Sequence, residues 1–140
     1  AASDVYKRQD EYNRNTEKKL QRIIFACDEI AEVLDKTGLT KQQKDEILKI
    51  ESELSLIARQ GRAFGIHLVL ATQRPDAGIL NGQIRNNIDT RICGRADNVL
   101  SQIILDSTDA ADLIAKSSQG RFLTNSGKIF QAYWFDENIL

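Results

Sequence analysis

Two adjacent carboxylates follow an apolar run near the start of this chain. Residues 22 to 29 read Arg-Ile-Ile-Phe-Ala-Cys-Asp-Glu, so Asp28 and Glu29 end a segment typical of a buried strand. A parallel strand buried on both faces is a continuous apolar run, and α/β sheets bind ligands beyond the carboxyl ends of their strands. We therefore predict both acids at the ligand-binding edge of a sheet.

This arrangement has the form of a Walker B motif, which serves phosphoryl transfer. In that role Asp28 would hold Mg²⁺ through water, and Glu29 would orient and polarise the attacking water. A second interpretation stays open: an ordinary strand followed by the acidic first turn of a helix, because carboxylates also stabilise helix N-termini. Short motifs often match by chance, so this motif alone does not decide between the two interpretations.

A second strand-like segment also ends in polar residues. A helical stretch meets Gly65, apolar residues run from 66 to 71, and Thr72 and Gln73 follow. Neighbouring parallel strands deliver their last residues to the same edge of a sheet. We therefore predict Gln73 near Asp28 and Glu29, where its side-chain amide could sense a γ-phosphate or hold the water.

Several segments together resemble a known family. They are Asp28-Glu29, Gly-Arg-Ala-Phe-Gly-Ile-His-Leu-Val-Leu-Ala-Thr-Gln-Arg-Pro at 61 to 75, and Ile-Arg-Asn-Asn at 84 to 87. They resemble the FtsK/SpoIIIE branch of the HerA-FtsK motor ATPases, ring-forming translocases with a RecA-like core. Residues 91 to 106 are most similar to the TcpA-like coupling ATPases of Gram-positive conjugative elements. The resemblance covers roughly residues 20 to 136.

The resemblance implies both a fold and a function. The fold would be the carboxy-terminal part of an α/β, RecA-like P-loop NTPase core, with a mostly parallel sheet flanked by helices and a terminal antiparallel hairpin. The complete protein would be an ATP- and Mg²⁺-dependent DNA translocase, a homo-hexameric ring that moves DNA to other conjugation proteins. Three alternatives stay open: a chromosome translocase of division or sporulation, a type VII-like secretion ATPase, and a degenerate ring module that does not hydrolyse ATP.

Arg62 is the candidate arginine finger. In this family's ring motors, the arginine of a Gly-Arg-x-x-Gly segment resembles the finger that one subunit points at its neighbour's ATP, and it corresponds to Arg62 here. A guanidinium group stabilises the negative charge that is spread over the phosphoryl oxygens in the transition state. In other systems this raises the rate of hydrolysis about a thousandfold or more. The alternatives are a structural contact at a helix end, where cations are favoured, and Arg59 as the finger.

One expected motif is absent from the sequence. No Gly-x-x-x-x-Gly-Lys-Ser/Thr occurs, and the Gly127-Lys128 pair is predicted to form a hairpin turn. We expect this chain alone to bind ATP poorly and to be inactive. Since the family carries its P-loop upstream of Walker B, we expect residues 10 to 140 to be the carboxy-terminal part of a motor domain. Residues 1 to 9 resemble no part of the family and are expected to be non-native or disordered.

Composition sets few limits on function. The net charge of −1 does not by itself suggest binding to nucleic acid. A content of 41% hydrophobic and 28% charged residues is ordinary for one globular domain. The sequence indicates a cytoplasmic domain, and the resemblance implies a parent protein anchored in the cell membrane. Cys27 and Cys93 are expected to be buried thiols, and His67 a packing or hydrogen-bonding residue without a catalytic role. Four arginines are expected on the solvated surface: Arg85, Arg91, Arg95 and Arg121.

Periodicity predicts the elements that must position these residues. Strands at 22 to 27 and 66 to 71 would be parallel, joined by a crossover with helices at 29 to 35 and 43 to 63. The longer helix has an apolar stripe with Glu51 away from it. A third strand at 89 to 94 and helices at 97 to 105 and 109 to 116 would extend the pattern. A hairpin of residues 121 to 125 and 128 to 135 would end it.

Overall fold

The computed structural model describes residues 8–73 and 82–133 of the chain. The chain divides into two compact units, which in the described part are residues 8–73 with 82–88, and residues 89–133. Sequence predictions for residues 1 to 7, for 74 to 81 and for the end of the hairpin beyond 133 lie outside the described residues.

The first unit is built around two parallel strands. Its elements are α1 (Gln9–Asn15), β1 (Ile23–Cys27), α2 (Ile30–Leu34), α3 (Lys41–Gln60), a 3₁₀-helix (Gly61–Phe64), β2 (Ile66–Leu70) and α4 (Gly82–Asn86). The two strands pair from Ile23 opposite Ile66 to Cys27 opposite Leu70. The predicted strands and their parallel pairing are confirmed, with each boundary within a residue.

Capping interactions define both ends of the long crossover helix. Thr40 Oγ1 accepts a hydrogen bond from the Gln43 N–H, and Gln43 Oε1 accepts one from the Thr40 N–H, which together form a capping box. After the 3₁₀-helix, Gly65 adopts a left-handed conformation with φ of 71°, as expected for a glycine that ends a helical stretch. The prediction for Glu51 was wrong, because this residue is buried and accepts a hydrogen bond from Lys36 Nζ at 2.8 Å.

In the described part of the chain, the hydrophobic core lies on one face of the parallel sheet. Ile30, Leu34, Leu54 and Ile84 form the buried core, with Cys27, Leu68 and Leu70 from the strands packed against it. Because side chains alternate along a strand, the opposite face of the sheet carries Ile24, Ala26, His67 and Val69. Ile24 is 69% exposed and Val69 is 55% exposed. We call this second surface the open face.

The second unit contains an antiparallel sheet. Its elements are β3 (Ile92–Cys93), α5 (Asn98–Leu105), α6 (Asp109–Leu113), β4 (Arg121–Thr124) and β5 (Ile129–Gln131). The predicted hairpin of β4 and β5 is confirmed, and Gly127 turns it with φ of 79°. Gly127-Lys128 is therefore part of a turn. The core of this unit consists of Cys93, Leu105, Ala110, Ile114 and Leu123.

The third strand differs from its prediction. β3 does not extend the parallel pattern but pairs antiparallel with β4, Ile92 opposite Thr124. Asn125 explains the direction, since its backbone N–H donates to the Arg91 carbonyl at 3.0 Å and its Oδ1 accepts from the Arg91 N–H at 3.1 Å. The asparagine thus satisfies both backbone groups of Arg91 and ties β3 to the hairpin.

Two of the four arginines expected on the surface are partly buried instead. Arg91 has a side chain only 17% exposed, and its Nη2 forms an ion pair with Asp106 Oδ2 at 2.7 Å. Arg85 lies on α4 with a buried Nε that has no hydrogen-bond partner among the described residues. Arg95 and Arg121 are exposed, as expected. Spacing alone could not identify these two residues, because their burial depends on tertiary contacts within each unit.

Candidate functional site

The carboxyl ends of the two parallel strands bring together three of the residues that the sequence predicted. Asp28 and Glu29 follow β1 directly, and Gln73 lies three residues beyond the end of β2. The backbone pairing continues past the strands, since the Ala71 N–H donates to the Cys27 carbonyl and the Ile30 N–H donates to the Ala71 carbonyl, both at 2.9 Å. The two segments that leave the sheet are therefore held side by side.

Glu29 completes this connection with its side chain. Its Oε2 accepts a hydrogen bond from the Gln73 backbone N–H at 2.8 Å, and its Oε1 accepts one from the Ala31 N–H at 3.3 Å. Both carboxylate oxygens are thus engaged by main-chain donors. Glu29 is also the N-cap of α2, which agrees with the helix-start interpretation left open by the sequence. The capping contact and a role in chemistry are compatible, because each oxygen keeps further acceptor capacity.

Asp28 differs from its neighbour in its surroundings. Its side chain is exposed, and no hydrogen bond or ion pair involves it among the residues that the structure describes. A solvated carboxylate can hold the water shell of Mg²⁺, which keeps several waters when protein side chains bind it. In residues 8–73 and 82–133 no group of three or more histidine, cysteine or acidic side chains could hold a metal ion directly.

Arg62 lies at the opposite end of the sheet from these residues. It belongs to the 3₁₀-helix that precedes β2, whereas Glu29 and Gln73 follow the carboxyl ends of the strands. The five residues of β2 span about 16 Å at roughly 3.3 Å per residue. Arg62 therefore cannot reach the acidic edge of its own copy, and contact with such an edge requires a second copy.

Two basic residues next to Arg62 were not singled out by sequence reasoning. Arg22 directly precedes β1, and His67 is the second residue of β2. His67 is exposed on the open face, so it does not pack in the core. The signal was available in the sequence, because parallel strands also bring their starting residues to one shared edge. Cys93 is buried, as expected, whereas Cys27 is only half-buried.

None of the helices in the described ranges is both long enough and apolar enough to cross a membrane. No protein-family model matches the chain.

Curated DNA translocases are similar in sequence. DNA translocase FtsK of Haemophilus influenzae is 33% identical over 127 residues, which cover 88% of this chain and 22% of that protein. DNA translocase FtsK 2 of Ralstonia nicotianae is 37% identical over 97 residues, which cover 69% of this chain and 11% of that protein. The chain thus spans about a fifth or less of the length of these relatives.

Solved structures of two ATPases share the fold. The conjugation coupling protein TcpA of pCW3, in its monomer form with ATPγS, matches with a TM-score of 0.85 and 42% identity over 95% of this chain and 38% of that chain. The cytoplasmic domain of the type VII secretion ATPase EccC of Thermomonospora curvata matches with a TM-score of 0.70 over 97% of this chain and 16% of that chain. At 23% identity, the likeness to EccC concerns the fold alone.

The fold and the strand-end residues define an α/β core of the P-loop ATPase class. Within that class, the chain is a homologue of the FtsK/SpoIIIE DNA translocases, in the FtsK-like branch and close to TcpA.

Proposed function

We propose that this chain is the Walker B and sensor part of an ATP-driven DNA translocase, and that the complete protein is a conjugative coupling ATPase. The observation that carries the proposal is the hydrogen bond between Glu29 Oε2 and the Gln73 N–H at 2.8 Å, which holds the acidic and amide residues of two strands together. Similarity to TcpA at 42% identity supports the coupling role, and similarity to the FtsK DNA translocases supports DNA as the cargo.

The residues at the carboxyl edge would have separate roles in ATP hydrolysis. Asp28, which is exposed, would hold Mg²⁺ through water, and the metal would neutralise charge on the phosphates of ATP. Glu29, fixed by two main-chain donors, would orient the attacking water. Gln73 lies next to Glu29, where its amide would sense the γ-phosphate. Fixed geometry matters, because positioning and preorganised charge supply most of the catalysis in phosphoryl transfer.

Arg62 would act in trans as an arginine finger. Its place at the other end of β2 supports this role, since a neighbouring copy must supply the acidic edge that Arg62 contacts. A closed homo-hexameric ring would provide one such contact for every copy. We also propose that the parent protein is anchored in the cell membrane, acts on double-stranded or processed DNA, and delivers it to other conjugation proteins.

The first test measures ATP hydrolysis by the complete protein with and without double-stranded DNA. We expect DNA to stimulate hydrolysis and Glu29→Gln to abolish it. Absence of hydrolysis under every DNA condition would contradict the DNA-motor proposal and favour a secretion ATPase or a degenerate ring module.

The second test mixes two inactive variants of the complete protein. Glu29→Gln subunits would lack the water-orienting carboxylate but carry the finger, whereas Arg62→Ala subunits would carry the carboxylate but lack the finger. In mixed rings, an Arg62→Ala site beside a Glu29→Gln neighbour would be complete. We therefore expect hydrolysis to return on mixing, and its failure to return would contradict a finger acting in trans. An Arg59→Ala variant, mixed in the same way, tests the competing arginine.

A further inference from the structure

The two strand starts form a basic surface that the proposed function does not use in full. The Ile23 N–H donates to the Gly65 carbonyl at 2.9 Å, so the residues that precede β1 and β2 are adjacent. The pairing places Ile24 opposite His67. Because side chains alternate, Arg22 shares the open face with His67, and Arg62 lies next to both in the 3₁₀-helix before β2.

These residues line a pocket of about 210 Å³, here called the strand-start pocket. Its charged and ionisable lining residues are Arg8, Asp10, Arg22, Arg62 and His67. Among the described lining residues, three arginines accompany one aspartate, and Asp10 Oδ1 contacts Arg22 Nη2 at 3.3 Å. Both partners of this pair are about two-thirds exposed, so the pair is weak and an anion can compete for Arg22. The described lining of the pocket therefore carries more cationic than anionic side chains.

The wall of the pocket is built by close packing of α1. Gln9 is buried, and its Nε2 donates to the Gln21 carbonyl at 2.9 Å. Gly65 makes this packing possible, since a Cβ at that position would overlap the Gln9 side chain. Residue 65 also has a φ of 71°, which favours glycine. The pocket is thus enclosed by a docked helix, with Arg22, Arg62 and His67 supplied by the strands and their starts.

The size and charge of the pocket select a class of ligand. A volume of about 210 Å³ equals that of roughly seven waters at about 30 Å³ each, which accommodates phosphate groups. Guanidinium groups bind phosphate oxygens with paired donors, and a histidine ring adds a further N–H donor. Duplex DNA presents its phosphates as an extended line, which requires cations spread over a surface. Here the cations converge on one compact pocket.

We propose that the strand-start pocket binds the terminal phosphates of a nucleotide held by a neighbouring copy, with Arg22 and His67 acting beside Arg62. This proposal rests on the proposed function, which supplies the neighbouring ATP. It adds two phosphate-binding residues to the single arginine that the sequence predicted. The assignment depends on Arg22, Arg62 and His67 in or next to the strands, and does not require Arg8.

The test titrates this 140-residue chain with inorganic tripolyphosphate while the His67 ring signals are followed by NMR and the heat of binding is measured. We expect saturable binding that shifts the His67 signals. Arg22→Gln should weaken binding about tenfold or more, since a charge-assisted hydrogen bond is lost. Arg22→Lys, which keeps the charge without the paired donors, should have an intermediate affinity. Arg121→Gln, an exposed arginine on β4, is the matched control and should bind as the parent chain does.

Three outcomes would overturn the proposal. They are binding that does not shift His67, equal affinity of the Arg22→Gln and parent chains, and tighter binding of a short duplex DNA with the same dependence on Arg22. Circular dichroism of each variant checks that the fold is retained, and Arg22→Lys keeps the test decisive if Arg22→Gln unfolds.

The pocket and the proposed function can fail separately. If Arg62→Ala complements Glu29→Gln in mixed rings but Arg22→Gln changes neither tripolyphosphate binding nor hydrolysis, only the pocket proposal fails. If the complete protein hydrolyses no ATP, the proposed function fails whatever the pocket binds.

Discussion

Glu29 Oε2 accepts a hydrogen bond from the backbone N–H of Gln73 at 2.8 Å, although 44 residues separate the two in sequence. The same carboxylate accepts from the Ala31 N–H and so caps α2. One side chain therefore joins the end of β1, the start of α2 and the segment after β2. Contacts within this chain therefore hold the acidic edge of the sheet in place.

The first prediction concerns the stability of the chain carrying Glu29→Gln. A glutamine has one acceptor oxygen and one amide donor, so it cannot accept from the Ala31 and Gln73 N–H groups with two separate oxygens. We expect the free energy of unfolding to fall by about 1–3 kcal/mol, the cost of leaving a donor without its charged partner. Urea denaturation followed by circular dichroism measures this change.

Asp28→Asn is the matched control, because it removes the same charge from the adjacent, exposed residue. We expect it to change the free energy of unfolding by less than about 0.5 kcal/mol, as for surface substitutions in general. Equal effects of the two substitutions would mean that the Glu29 hydrogen bonds contribute nothing to stability.

The sequence predicted the parallel strands, the long helix and the hairpin because each has a distinct hydrophobic period and clear turn residues. Its prediction that Gln73 lies near Glu29 is confirmed, since parallel strands end at a common edge. The direction of β3 could not be predicted, because a strand of two residues has no period and its pairing depends on Asn125. The burial of Glu51 depends on its contact with Lys36, which lies 15 residues away in sequence. The hydrophobic pattern of the helix gives no information about such a distant partner.

The second prediction compares the two faces of the parallel sheet. Ile24 is 69% exposed on the open face, whereas Ile30 is 1% exposed in the core. Ile30→Ala should lower the free energy of unfolding by about 2–5 kcal/mol, because it removes buried methyl groups and leaves a cavity. Ile24→Thr should change the free energy of unfolding by less than about 0.5 kcal/mol. Threonine is also β-branched, which suits a strand, and the substitution removes little buried apolar surface.

The same pair of variants tests whether the open face binds apolar probes. Ile24, Ala26 and Val69 expose a contiguous apolar surface, and such surfaces bind dyes such as ANS. We expect Ile24→Thr to reduce ANS fluorescence of the folded chain. Ile30→Ala should leave it unchanged or raise it. A large loss of stability on Ile24→Thr would mean that this residue is buried in solution.

The third prediction concerns the partly buried Arg91. Its ion pair with Asp106 is the contact that satisfies Nη2, while Nε and Nη1 are buried with no hydrogen-bond partner among the described residues. Asp106→Asn removes the negative charge and keeps a residue that tolerates the φ of 59° at this position. We expect a loss of about 1–2 kcal/mol in the free energy of unfolding, because the arginine keeps its charge and loses its anion.

Arg91→Met provides the second arm of this test. Methionine replaces the buried stem with an apolar side chain and removes the charge, and it leaves the Asp106 carboxylate, which is 56% exposed, to be solvated by water. In the Arg91→Met background, Asp106→Asn should have little effect. If Asp106→Asn costs the same in both backgrounds, the ion pair is not the source of the loss.

The fourth prediction concerns the reactivity of the two thiols. Burial in the core of the second unit raises the pKa of Cys93 above its ordinary value of 9.0, whereas Cys27 is half-buried at the end of β1. Since the thiolate is the reactive form, a thiol reagent at pH 8 should modify Cys27 first and Cys93 only as the chain unfolds.

The folded state keeps its Cys93 proton more tightly than the unfolded state, so stability should fall as the pH rises above about 9. Denaturation of the parent chain and Cys93→Ala across pH 7 to 10 measures this slope, which the substitution should reduce. An unchanged slope, or a Cys93 that reacts as fast as Cys27, would place this thiol in contact with solvent.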